Sequence, residues 1–74
     1  MKNVEKFLEV ADELENSYPY LYAEIAKTRA TNWMAWLCTH NREDNPSRKV
    51  ICSGQGITAE EACEDALKAL ENDK

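Results

Sequence analysis

Apolar residues recur with helical spacing near both ends of the chain and form a denser run between them. In "NVEKFLEVADELEN" (residues 3–16), Val4, Phe7, Leu8, Ala11 and Leu14 fall on one stripe, with acidic and lysine side chains around the rest. That is the signature of an amphipathic helix. Towards the other end, Ala59, Ala62, Cys63, Ala66, Leu67 and Leu70 repeat with helical period behind Thr58. Thr58 and Glu61 have the T-x-x-E spacing of a capping box. Small residues in the first half of this stripe let a helix backbone approach a sheet closely. Between the two stripes, "TNWMAWLCTH" (31–40) is aromatic and apolar without glycine or proline, and reads as a strand. "NREDNPS" (41–47) is a charged loop turning at Asn45-Pro46, and "RKVICSG" (48–54) is the returning strand.

Residues 18–28 fit two periods. Ser17 can cap a helix, Pro19 suits a first turn, and Tyr18, Leu21, Tyr22, Ile25 and Ala26 follow at helical spacing. The tyrosines, Leu21 and Ile25 also suit a strand. A short helix is the expectation, and a strand the alternative.

A symmetric hairpin loop would set Cys38 opposite Val50 and Trp36 opposite Cys52. One face would then carry Met34, Trp36, Cys38, Val50 and Cys52, the other Trp33, Ala35, Leu37 and Ile51. A hairpin with one wet face alternates apolar and polar residues. This one is apolar on both, so both faces need a cover, from helices on the two sides or from a partner chain. The expected fold class is α+β: an antiparallel β-hairpin, or three strands, packed by N-terminal and C-terminal helices in a single domain over residues 1–74. A homodimer is expected, with Trp33 or Trp36 in the contact.

A chain of 74 residues buries only about 60% of its unfolded surface, which leaves little material for a deep catalytic cleft. The net charge is −5, from 14 acidic and 9 basic residues. That disfavours non-specific nucleic-acid binding and suits a protein partner. Charge is segregated: residues 1–16 carry a net −3, residues 27–49 a net +3 and residues 50–74 a net −4. The N-terminus has no signal-peptide pattern and no apolar run is long enough to span a membrane, so no membrane association is expected. Three cysteines without framework spacing fit a reduced, cytoplasmic protein.

Several groups invite chemistry. Gly54 and Gly56 precede a helix start, where backbone amides can hold phosphate. Here Glu60, Glu61, Glu64 and Asp65 occupy that start, so a phosphate would meet like charge; a tight strand-to-helix joint is the reading, with unusual dihedrals and close packing supplied by the glycines. Cys38, His40 and Cys52 could share one hairpin face, and a metal site wants three or four such ligands. But no C-x-x-C occurs and Cys63 lies on the helix stripe, so buried thiols and a surface histidine are the reading. A Cys-His nucleophile pair is disfavoured because the two side chains project in parallel from one strand. No catalytic, metal or cofactor site is expected. His40, Arg42, Arg48 and Lys49 form a basic hairpin tip, read first as a solvated loop and second as a patch for an acidic partner.

"GQGITAEEACEDALKAL" resembles the C-terminal end of double-stranded-RNA-binding domains, whose pattern matches at Gly54, Gly56, Thr58, Ala62, Ala66, Ala69 and Leu70. A strand at residues 20–26 would give that family's α-β-β-β-α order as well. The family's phosphate-contacting lysines fall here on Ala59, Glu60 and Cys63, which implies packing without the RNA grip. The "G-x-T-x-E-E-A" stretch also looks like antitoxins of the HicB type, whose preceding strand motif is missing here. Over residues 4–70 the helix, the Trp-bearing hairpin and the "G-x-G-x-T-x-E-E-A" helix resemble small phage proteins with an "ABA sandwich" domain. That resemblance implies a phage accessory protein. The expected function is therefore a non-enzymatic, acidic protein-binding module or inhibitor acting on a basic partner surface. Glu60, Glu61, Glu64 and Asp65 are the first candidate contacts, and Glu9, Asp12 and Glu13 the second. Double-stranded-RNA binding, through Lys27, Arg29, Arg42, Arg48 and Lys49, and a structural role in a phage complex are the alternatives.

Overall fold

The computed structural model describes residues 2–72 apart from Thr31 and Glu43. The chain runs α1 (Lys2–Leu14), β1 (Tyr22–Thr28), β2 (Asn32–Cys38), β3 (Val50–Gly56) and α2 (Ala59–Asn72). The strands form one antiparallel sheet in the order β1-β2-β3. The architecture is α+β, an antiparallel sheet packed by the N- and C-terminal helices, as the patterning implied.

Residues 22–28 are a strand, which corrects the expected short helix over 18–28. A lone short helix there would be marginal in water. As a strand, the segment pairs along all of β2, from Tyr22↔Cys38 to Thr28↔Asn32. Pairing on both sides makes β2 the central strand, which explains why its sequence is apolar at nearly every position. Asn32 follows the β1–β2 turn with φ 60°, a left-handed conformation that asparagine tolerates better than most residues. Thr31, where the expected strand began, lies outside the described residues.

Both helices lie on the same side of the sheet. Phe7 and Ala11 of α1 and Ala62, Cys63 and Ala66 of α2 share one buried core with Ala35, Leu37 and Cys52. Leu8 does not join it: the α1 stripe turns inward through Val4, Phe7, Val10, Ala11 and Leu14, leaving Leu8 at 47% exposure. Trp33 packs against this core from the sheet.

Cys38 does pair with Val50, but Trp36 pairs with Ser53 and Leu37 with Cys52. A β-bulge between those pairs leaves Ile51 as the extra residue. It turns Cys52 to the helix side beside Leu37, correcting its expected place beside Trp36 and Cys38.

The two glycines belong to β3 itself. Neither has positive φ, so unusual dihedrals are not their role. They permit contact. A Cβ on Gly54 would overlap the Ala66 amide nitrogen and sit 2.6 Å from the Ala62 carbonyl oxygen; one on Gly56 would sit 2.5 Å from the Glu61 Cβ. The α2 backbone lies directly on this strand.

Candidate functional site

The acids expected to face a partner are tied into the fold at α2. Glu60 reaches the start of α1, where its carboxylate accepts hydrogen bonds from the backbone amides of Asn3 (2.6 Å) and Val4 (3.1 Å). These are first-turn amides without helical partners. Chiefly through the Asn3 amide, they hold the Glu60 carboxyl below its ordinary value of 4.5. Glu61 accepts from the Ile57 amide at 3.0 Å while its own amide donates to Thr58 Oγ1 at 3.1 Å. Asp65 accepts from the amide of Gln55, on edge strand β3, at 3.1 Å. Glu64 pairs with Lys68 at 3.1 Å and accepts from the Asn3 side chain at 3.4 Å. Glu9, Asp12 and Glu13 stay exposed on α1, outside the ion pairs seen among the described residues.

The opposite face of the sheet carries no helix. By register its rows are Tyr22, Cys38 and Val50; Glu24, Trp36 and Ser53; then Ala26, Met34 and Gln55. Met34, Trp36, Cys38, Val50, Ser53 and the loop residue Arg48 line an open groove of about 310 Å³. Val50 is 60% exposed. Trp36 sits centrally in the grid; Trp33, the other candidate contact, faces the helices. The tryptophan and the apolar character of this face were legible in the sequence. Tyr22 reads with Trp33, Trp36, Tyr18 and Tyr20 as a candidate recognition surface, but Ser53 and Glu24 were not singled out, because their common face depends on β1 being a strand and on the bulge.

The expected basic tip does not form one patch. Arg42 pairs with Asp44 at 3.3 Å. His40 stacks on Tyr20, ring centroids 5.9 Å apart, with Nδ1 2.9 Å from Thr39 Oγ1. Lys49 is exposed while its backbone closes the loop on Thr39. Arg48 turns back over the sheet: Nε donates to the His40 carbonyl at 3.0 Å, and the guanidinium lies 5.7 Å from the Tyr22 ring centroid. The Tyr22 hydroxyl donates to Glu24. That bond, more than desolvation, raises the Tyr22 pKa.

The thiols are poor nucleophiles. Burial pushes all three upward, Cys63 to about 11, whereas reactive cysteines are depressed. For Cys38, Arg48 opposes the shift without cancelling it. Cys38 and Cys52 face opposite sides of the sheet, so the considered Cys38, His40 and Cys52 set does not converge. Among the described residues no group of three metal-ligating side chains forms, and no helix is long and apolar enough to cross a membrane.

Compared with known proteins, the chain matches no family model, no curated protein and no solved structure.

Proposed function

We propose that this protein is a non-enzymatic protein-binding module whose docking surface is the open face of the sheet, centred on Trp36. One observation carries the reading: a small domain that places both helices on one side leaves a tryptophan-bearing apolar groove on the other. Tryptophan is favoured at binding hot spots, where one large side chain contributes much of the affinity. The groove offers one cation and one hydroxyl, and the buried thiols are not poised for attack, so binding suits this surface better than catalysis. Small phage accessory or inhibitor proteins, which the chain resembles, are the class in which we place it. The α2 acids make hydrogen bonds within the fold, and Glu9, Asp12 and Glu13 lie on α1, on the side of the sheet away from the groove, so the partner surface is read on the sheet. The test is direct binding to a purified partner first captured by the wild-type chain. Loss of that binding in Trp36→Ser, with retention on charge reversal of Glu9, Asp12 and Glu13, is expected. Unchanged binding by Trp36→Ser sinks the reading.

A second reading is favoured by the α-β-β-β-α order, the order of double-stranded-RNA-binding domains. Its cations are split: Lys27 and Arg29 lie at the β1–β2 turn, while Arg42, Arg48 and Lys49 lie at the opposite end of the sheet. Strands of this length separate the groups by about 20 Å. They would have to bridge separate phosphates of a duplex, past a helix start that is acidic. A gel shift at low salt decides it: retardation of duplex RNA abolished by reversing both cation groups would replace the first reading.

A further inference from the structure

We infer that the segment seated in the Trp36 groove is a short apolar stretch of another protein carrying a carboxylate beside its apolar anchors. This rests on the protein-binding reading and adds the chemistry of the partner. The groove floor is apolar, from Met34, Trp36, Cys38 and Val50, and Arg48 stands at one end of it. Arg48 is anchored through Nε and lies against Tyr22, yet it has no carboxylate within ion-pair distance among the described residues. Arginine presents a planar fork of donors suited to a carboxylate. Glu24, the acid on this face, is turned to the Tyr22 hydroxyl. Around the groove end, residues 39–49 carry Arg42, Arg48 and Lys49 against Glu43 and Asp44, a net +1 within a chain of −5. Arg48 is the cation that lines the groove, so a carboxylate on the occupant meets an attractive charge there although the whole protein is acidic.

A second copy of the chain fits this face less well. Pairing two such faces about a twofold axis along the strands puts both Arg48 side chains at the same end. Pairing them about an axis across the strands, centred on Trp36, sets Glu24 against Glu24. Either arrangement opposes like charges.

The experiment uses the full chain, isotope-labelled, titrated with two end-capped octapeptides of one Leu-Leu-Phe core. One carries two aspartates around the core, the other two lysines. The aspartate peptide is expected to shift the amides of Met34, Trp36, Val50 and Ser53. It should bind roughly fivefold tighter than the lysine peptide, the scale of one solvent-accessible charge pair. Arg48→Glu is expected to reverse that preference, which a merely damaged fold would not do. Trp36→Ser is expected to abolish both sets of shifts. Equal or tighter binding of the lysine peptide overturns the inference. So do shifts confined to the helices, stronger shifts of the same amides by single-stranded polyuridine, or sedimentation as a dimer that Trp36→Ser dissociates. If both peptides fail while a purified partner still binds in a Trp36-dependent way, this inference falls and the protein-binding reading stands.

Discussion

Gly54 shows how a single missing atom sets the fold's tolerances. Its Cα lies under the α2 backbone, and an added Cβ has no flexible side chain to displace; it meets the Ala66 amide and the Ala62 carbonyl. Gly54→Ala must therefore lift the helix and loosen the contact beneath Ala62 and Ala66. Overpacking of this kind costs about 3 kcal/mol, a large share of what so small a domain has. The urea midpoint of Gly54→Ala should fall sharply; an unchanged midpoint would mean that the helix stands further off the strand. At the same scale, Glu60 joins two elements. Its carboxyl is held below the ordinary value by the Asn3 and Val4 amides. A lowered folded value stabilises the protein above about pH 4.5 and ceases to do so as pH falls through the folded value. Glu60→Gln should lower the urea midpoint at pH 7, and the gap to wild type should close as both are titrated into acid. A gap that is constant with pH would assign the effect to packing.

Among the elements, β3 is the most constrained. It is an edge strand, and edge strands with free amides pair with other chains. Asp65 accepts from the Gln55 amide and Glu61 from the Ile57 amide just beyond the strand end, so α2 guards the edge against which it packs. Asp65→Ala should leave the melting temperature nearly unchanged yet raise light scattering on prolonged incubation; loss of stability without aggregation would make the bond merely structural. The two helices were legible because each carries a long stripe at one period, and α2 also carries its capping residues. Strand β1 was not, because its few apolar residues satisfy both periods, and the choice is made by pairing with β2. The bulge at Ile51 was invisible because a one-residue offset leaves no compositional mark. Its consequence was the misplacement of Cys52 and, with it, the grouping of Cys38, His40 and Cys52. The acids on α2 were visible as charges, and the Glu61 bond to the Ile57 amide is local, but the backbone partners of Glu60 at Asn3 and of Asp65 at Gln55 are brought near only by the tertiary fold.

The molecule as a whole is a two-layer structure with one layer left bare. The side buried by both helices supplies most of the stability, and the other side contributes less. Leu37→Ala, from the fully buried side, should cost about 3 kcal/mol. Trp36→Ser, from the open side, should cost about 1 kcal/mol or less, although tryptophan is the larger side chain. Comparable urea midpoints for the two variants would show that Trp36 is part of the stabilising core. The bulge has a further consequence, for the length of the gene rather than for its chemistry. Cys38↔Val50 and Leu37↔Cys52 bracket Ile51, so removing that one residue would close the ladder without shifting either pair. A one-codon deletion at 51 should yield a folded, straighter sheet, visible in an amide spectrum as continuous strand shifts. Deletion of Cys52 should close the ladder too, with Ile51 in its place opposite Leu37, whereas deletion of Gly54 should bring a residue with a Cβ under Ala62 and Ala66. Codon 51 is thus a place in β3 where the reading frame of the sheet, as distinct from that of the gene, can lose a unit and stay in phase.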